Sequence, residues 1–172
     1  MSIDKDNILN AKDLPLDIEE PENDDLENEE ELTDEEKLLS PFGTFTELNQ
    51  VIGDGSKWTI NLDKDYSFAP GTDSNFVNGI VINRSITING NGHTINANNQ
   101  ARIFNVTNYV NFNNIVLRNA YADSGATITG SNYAVSNCRF VSNDASSHGG
   151  AMLGGYAKNS VFEDNSAERW GG

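Results

Sequence analysis

The stretch Phe112-Asn113-Asn114-Ile115-Val116-Leu117 returns as Val135-Ser136-Asn137-Cys138-Arg139-Phe140 and again as Ala157-Lys158-Asn159-Ser160-Val161-Phe162. The equivalent asparagines are separated by 23 residues and then by 22 residues. A period of this length is typical of a solenoid, in which every repeat supplies one supersecondary unit that buries its apolar face only against its neighbours. The repeat therefore indicates a stacked architecture before any local propensity is considered.

Shorter patterns recur with the same step. Asn143-Asp144-Ala145 returns as Asn165-Ser166-Ala167, and Gly149-Gly150 returns as Gly171-Gly172. Upstream, Trp58, Ile60 and Leu62 alternate with polar residues, as in a half-buried strand. Other short apolar runs are bounded by Asn or Gly; they are Ile80–Ile82, Ser85–Ile88, His93–Ile95 and Arg102–Val106.

Short strands without intervening helices favour an all-β fold, a right-handed parallel β-helix of four to five coils. Its predicted inward columns are Phe112/Val135/Ala157, Ile115/Cys138/Ser160 and Leu117/Phe140/Phe162. Asn114, Asn137 and Asn159 fall between inward positions, where asparagine tolerates turn dihedrals. Stacked amides at these three positions are expected to hydrogen-bond as a ladder along the axis.

A short helix is predicted over residues 44–53, directly before the first strand. Thr44 and Glu47 have the spacing of a capping box. Phe45, Leu48, Val51 and Ile52 are expected to share one apolar face. Because a solenoid must cover the end of its core, this helix is predicted to be the N-terminal cap.

Charge divides the chain into two regions, predicted as an acidic disordered tail (1–40) and a parallel β-helix domain (41–172). Residues 1–40 hold 16 acidic residues against three lysines, a net charge of −13, whereas residues 41–172 carry only −2. A segment rich in Glu, Asp and Asn cannot bury enough apolar surface to fold by itself. The tail also repels phosphate, which argues against nucleic acid and anionic membranes as partners.

Both ends of the sequence raise expectations about the whole protein. No apolar run is long enough for a membrane helix, and no secretion signal is visible at the start. The repeat stops at Gly171-Gly172, where a further coil should begin, so we expect a fragment truncated at its C-terminus. An uncovered last coil exposes strand edges, which predicts self-association through the coil that contains Phe162.

Several motifs resemble the adhesin-like surface proteins of methanogenic archaea, which share right-handed parallel β-helix repeats with pectin-lyase-like and polymorphic outer-membrane proteins. The resemblance covers residues 43–172 and rests on Ser85–Ile95 (SITINGNGHTI), Asn98–Val106 (NNQARIFNV) and the two Asn-x-x-Phe repeats that precede Gly149-Gly150 and Gly171-Gly172. It implies an extracellular, cell-surface protein that acts in adhesion, with surface glycans or other cells as partners. The missing secretion signal is a departure from the family pattern.

An enzymatic site is the alternative to an adhesive role, because many parallel β-helices cleave polysaccharides. Glycoside hydrolysis requires two carboxylates about 5–9.5 Å apart, and no acidic column forms in the repeat. His93 and His148 are interpreted as solvated turn residues. The segments Asp63–Asp65 and Gly71–Asn75 are considered as calcium sites, but neither has EF-hand spacing. No metal or cofactor is therefore predicted.

The aromatic residues provide the only binding signal, and it is weak. Tyr133 and Tyr156 are 23 residues apart, which matches the coil step and suggests a strip able to stack on sugar rings. Cys138, the single cysteine, is expected to be a buried thiol. Arg84, Arg102, Arg118 and Arg139 are expected to point outward.

The interpretation favoured by the sequence is a non-catalytic, adhesin-like β-helix that serves as a structural or adhesive stalk. The alternative is a carbohydrate-active β-helix, a polysaccharide lyase or hydrolase, whose catalytic coils lie outside these 172 residues.

Overall fold

Short parallel strands wind into a β-solenoid in the computed structural model, which describes residues 41–171. The predicted acidic tail, residues 1–40, lies outside the described residues. Within the described part, no helix is long and apolar enough to cross a membrane.

Four parallel sheets run along the solenoid, and consecutive coils contribute neighbouring strands to each. Sheet A contains β1 (Thr59–Asn61), β4 (Ile86–Asn89), β7 (Val110–Asn113), β11 (Tyr133–Ser136) and β15 (Tyr156–Lys158). Sheet B contains β2 (Tyr66–Ser67), β5 (Thr94–Asn96), β8 (Val116–Arg118), β12 (Arg139–Val141) and β16 (Val161–Glu163). Sheet C contains β9 (Tyr121–Ser124), β13 (Asp144–His148) and β17 (Ser166–Ala167). Sheet D contains β3 (Ile80–Ile82), β6 (Phe104–Val106), β10 (Ile128–Gly130) and β14 (Met152–Leu153).

The predicted inward columns are confirmed by the strand register. Leu117 pairs with Phe140, and Phe140 pairs with Phe162. The two phenylalanine rings lie parallel, with their centroids 4.7 Å apart and an angle of 3° between the planes. In sheet A, Phe112 pairs with Val135, which pairs with Ala157. Each coil therefore places its apolar side chains directly on those of the preceding coil.

The repeated asparagines form turns, as expected. Asn114, Asn137 and Asn159 have positive φ angles of 51°, 56° and 50°, a conformation that asparagine tolerates better than most residues. The predicted ladder among these three side chains is wrong, because Asn137 Nδ2 donates to Asn113 Oδ1 at 3.1 Å instead. The left-handed turn directs the Asn137 amide back toward the strand that precedes the equivalent turn in the neighbouring coil.

A buried amide lies inside the solenoid at the other repeated asparagine. Asn143 is fully buried, and its Oδ1 accepts a hydrogen bond from Ala120 N at 2.9 Å. Its Nδ2 donates to Asn165 Oδ1 at 2.8 Å and to Leu117 O at 3.2 Å. These bonds satisfy backbone groups at the corner between sheets B and C, which would otherwise be buried without a partner.

The predicted cap helix is α1 (Phe45–Gly53). Its capping box is present, since Glu47 N donates to Thr44 Oγ1 at 3.2 Å and Thr44 N donates to Glu47 Oε2 at 3.0 Å. Phe45, Leu48 and Ile52 are buried over the end of the core. The expectation for Val51 is wrong: this residue is 37% exposed because a step of about 100° per residue places it at the margin of the apolar stripe.

A buried carboxylate holds the N-terminus of α1. Asp73 ends the short helix α2 (Pro70–Asp73), which the sequence did not predict, and a 3-10 turn follows over Ser74–Phe76. Asp73 is fully buried and accepts hydrogen bonds from Phe45 N (2.9 Å), Thr46 N (2.9 Å), Thr46 Oγ1 (2.7 Å) and Ala69 N (2.8 Å). Its charge lies where the helix dipole favours an anion.

An arginine holds the other end of α1. Arg84 donates to three carbonyl oxygens at or just beyond the helix C-terminus, those of Ile52 (2.9 Å), Asp54 (2.7 Å) and Lys57 (2.6 Å). Arg84, which was expected to point outward, is therefore engaged with the cap helix. A cation at a helix C-terminus is electrostatically favourable and also satisfies carbonyl groups that the helix leaves unpaired.

The Asp73 carboxylate provides a direct test of how the cap is attached. Asp73→Asn removes the charge and places an NH₂ group where backbone N–H groups donate. We expect the free energy of unfolding to fall by about 2–4 kcal/mol, measured by urea denaturation at pH 7. Asp164→Asn, an exposed turn position with φ of 52°, is the matched control and should change stability by less than about 0.5 kcal/mol. Equal losses of stability in the two variants would contradict the role of Asp73 in attaching the cap helix.

Candidate functional site

The two tyrosines predicted to form a strip do not share a surface. Tyr133 is only 3% exposed, and its hydroxyl donates to Ile128 O at 3.3 Å inside the solenoid. Tyr156 is 66% exposed and pairs with Ala134, not with Tyr133. The coil step is 22 residues at this point, and a shift of one residue turns a strand side chain to the opposite face of its sheet.

A groove lies on the outside of sheet B near the N-terminal end. It has a volume of about 250 Å³. Its lining combines polar side chains, one cation, one carboxylate and two aromatic residues; the lining residues are Phe42, Asp65, Tyr66, Ser67, Thr94, Asn96 and Arg118.

The polar walls come from two outward columns of sheet B. Ser67, Asn96 and Arg118 follow one another in register through β2, β5 and β8. Asp65 and Thr94 precede the inward pair Tyr66 and Ile95, so they belong to the neighbouring column. The positive charge of Arg118 is therefore two coils away from the negative charge of Asp65, across the length of the groove.

Asp65 is hydrogen-bonded to residues of the next coil. Its Oδ1 accepts from Thr94 N at 2.9 Å and lies 2.9 Å from His93 Nδ1. The backbone N–H of Thr94 is the main cause that lowers the pKa of Asp65, partial burial opposes it, and His93 lowers it further. His93 was expected to be a solvated turn residue; its ring is instead partly buried against this carboxylate.

Tyr66 belongs to the inward column and is buried beneath the groove. Burial is the main cause that raises its pKa to about 12, and the carboxylates of Asp63 and Glu47 act in the same direction. Gly43 lies directly on the ring, because a Cβ at this position would be 2.6 Å from two ring carbons. Gly43 also pairs with Tyr66 as a parallel bridge, with Gly43 N donating to Asp65 O at 2.8 Å. This bridge positions Phe42 at the rim.

The four arginines that were expected to point outward differ in their roles. Arg102 donates to Gly125 O (3.1 Å), Asn78 O (3.2 Å) and Ser124 O (2.8 Å), so it ties turns of successive coils together. Arg139 pairs with Glu163 at 2.6 Å. Arg118 is exposed and makes no ion pair within residues 41–171. Arg118 is thus the arginine available to a ligand in the groove.

Metal-binding geometry is absent from the described part of the chain, where no group of three or more His, Cys, Asp or Glu side chains could hold an ion. Of the residues considered for calcium, Asp65 is engaged with His93 and Asp73 with the cap helix. Cys138 is buried, as predicted, and burial is the main cause that raises the pKa of its thiol.

Comparison with known proteins supports the adhesive interpretation of this fold. Residues 43–152, more than half of the chain, match the sequence family described as "Putative pectate lyase-like adhesive domain". The chain belongs to this family. No curated protein and no solved structure matches it. The predicted likeness to pectin-lyase-like adhesins is thereby confirmed for this adhesive domain, while an origin in methanogenic archaea stays a prediction.

The lowered pKa of Asp65 predicts how its contribution to stability depends on pH. A carboxyl group with a folded pKa below its unfolded value of about 3.9 stabilises the fold above that value, and the contribution is lost as the pH falls through the folded pKa. Asp65→Asn should therefore lower the urea midpoint at pH 7, and the difference from the unsubstituted protein should shrink toward pH 3. Glu168→Gln, at an exposed position, should show no such convergence. A constant difference for Asp65→Asn at both pH values would contradict the assignment.

Proposed function

We propose that this adhesive domain is a non-catalytic module of a cell-surface protein, a structural or adhesive stalk that binds surface glycans of partner cells. In this proposal the groove on sheet B takes a sugar that carries a carboxylate. Membership of the adhesive family supports a role in attachment. The side chains of the groove supply the groups that recognise the sugar.

The non-catalytic proposal rests on one observation, that the only carboxylate among the lining residues of the groove is already hydrogen-bonded. Asp65 is committed to Thr94 N and His93. Hydrolysis by an acid pair requires a second carboxylate about 5–9.5 Å away, across the bond that is cleaved. No other lining residue of the groove is acidic. The arrangement supports binding without cleavage.

Arg118 supports an acidic sugar as the ligand. A guanidinium binds a carboxylate through two parallel hydrogen bonds, which gives both affinity and orientation. The ring of Phe42, 50% exposed at the rim, offers an apolar surface to the sugar's C–H groups. Thr94 and Asn96 supply hydroxyl and amide groups for the sugar hydroxyls.

The groove proposal is tested with oligogalacturonate as the acidic probe. Titration calorimetry should detect binding that weakens with added salt, because exposed charges are screened. Arg118→Ala should reduce the affinity about tenfold or more. Arg139→Ala is the matched control, since Arg139 is also outward on sheet B but lies outside the groove and pairs with Glu163. Equal losses in both variants would contradict the groove.

The non-catalytic part is tested by incubating the protein with polygalacturonate. Neither reducing ends nor unsaturated products should accumulate above the level of a heat-denatured sample. Product release that Asp65→Asn abolishes would overturn this part of the proposal and favour the alternative of a carbohydrate-active β-helix.

We further propose that a polypeptide of these 172 residues self-associates through β15 and β16. Ala157 and Phe162 continue the inward columns, yet both are exposed, Phe162 by 46%. Apolar interior and open strand edges at one end favour pairing with a second copy. The end near Phe45 is covered by α1, so the association is expected to join two such uncovered ends.

Sedimentation velocity over a range of concentrations measures this association. The unsubstituted chain should shift from monomer toward dimer as its concentration rises, because dimerisation follows mass action. Phe162→Lys should hold it monomeric. Val161→Lys, the neighbouring residue on the outward face, is the control and should leave the association unchanged. A stable monomer at high concentration would exclude the proposal.

A further inference from the structure

The outer face of sheet A is polar, flat and almost free of charge. One outward column runs through Thr59, Thr87, Asn111, Ala134 and Tyr156. The neighbouring column runs through Asn61, Asn89, Asn113, Ser136 and Lys158. No carboxylate occurs in either column, and Lys158 is the single charge. Hydroxyl and amide groups of this kind bind neutral polar ligands, and they give no preference for an anion.

Two exposed tyrosines lie on this face. Tyr109 directly precedes β7 and is 53% exposed. Its hydroxyl donates to Asn111 Oδ1 at 3.2 Å, so the ring lies along the outer face toward the first column. Tyr156 belongs to the same column as Asn111 and is 66% exposed.

The spacing of the two rings follows from the coil register. Asn111 pairs with Ala134, and Ala134 pairs with Tyr156, so the tyrosines are anchored two coils apart. Neighbouring parallel strands are about 4.8 Å apart, which separates the two anchoring positions by about 10 Å along the axis. Ala134 lies between them with the smallest side chain of the column. The result is a shallow seat bounded by an aromatic ring at each end.

A chain of sugar rings fits this pattern better than an isolated sugar. The C–H face of a pyranose stacks on a tyrosine ring, and its hydroxyls bond to amides and hydroxyls at the side. The spacing between neighbouring coils, about 4.8 Å, is comparable to the advance per sugar of an extended β-linked polysaccharide. Every second sugar would then meet a tyrosine, while the sugar between them would lie over Ala134.

We infer that the outer face of sheet A binds a neutral, extended, β-linked polysaccharide that lies along the solenoid axis. Tyr109 and Tyr156 stack on alternate sugars. Ser136 and Lys158, in the neighbouring column, donate hydrogen bonds to the hydroxyl groups along one edge of the chain. The inference extends the proposed adhesive function and rests on it, but it names a different face and a different glycan class from the groove beside Arg118.

The test uses the full 172-residue chain and soluble glucomannan as the probe, with affinity gel electrophoresis as the measurement. Glucomannan should retard the protein, whereas dextran, which is not an extended β-linked chain, should not. Tyr109→Ala and Tyr156→Ala should each weaken binding about tenfold. Tyr121→Ala is the matched control, because this tyrosine is 47% exposed on sheet C and should have no effect.

A second variant tests the seat without removing either ring. Ala134→Arg fills the space between the tyrosines at an outward position, so it should abolish retardation while the thermal unfolding midpoint stays unchanged. Retention of binding in this variant, or in the Tyr109→Ala/Tyr156→Ala double variant, would overturn the inference. So would equal retardation by dextran.

The groove and the tyrosine face can be separated by crossing probes and variants. Arg118→Ala should leave glucomannan binding intact, and Tyr156→Ala should leave oligogalacturonate binding intact. If glucomannan does not bind but oligogalacturonate binds through Arg118, this inference fails and the proposed function stands. If glucomannan binds through the tyrosines and oligogalacturonate does not bind, the groove proposal fails and the inference stands.

Discussion

Parallel pairing between coils is the constraint on which the rest of this structure depends. Because Phe140 pairs with Leu117 on one side and with Phe162 on the other, every apolar side chain is supported by its equivalent in the neighbouring coils. The same register determines what faces outward. It aligns Ser67, Asn96 and Arg118 on sheet B and brings Tyr156 into the column of Asn111 on sheet A. The same strand register therefore determines both the packing of the interior and the composition of the two candidate binding surfaces.

The first coil has no preceding coil to cover its apolar end. A helix held by two charged side chains covers it instead. The helix α1 buries Phe45, Leu48 and Ile52 on the end of the core, and Asp73 and Arg84 bind its opposite ends. An anion at the N-terminus and a cation at the C-terminus both complement the helix dipole. Buried Asp73 has four donors around it, which offsets the loss of water from its charge. The chain enters this cap through Phe42, so the cap also builds the rim of the groove.

Periodic features could be predicted from the sequence, and contacts distant along the chain could not. Asn137 and Phe140 recur with their neighbours, so the turn and the inward column follow from the repeat. Tyr133 was assigned to the wrong face because a step of 23 residues matches one coil but not the next, where the step is 22. Asp65 and His93 are 28 residues apart and occur once, so no repetition marks them as a pair.

The direction of the backbone hydrogen bonds has a mechanical consequence for a solenoid under tension. Bonds between coils, such as Ala97 N to Arg118 O at 3.0 Å, run along the solenoid axis, because strands of successive coils pair side by side. Tension along that axis pulls on each interface between coils directly and acts on the interfaces in series, so the weakest one opens first. Each coil contacts only its neighbours, so coils detach one after another and lengthen the tether in steps. Stepwise opening of this kind dissipates force gradually, because the other coils stay paired while one interface opens.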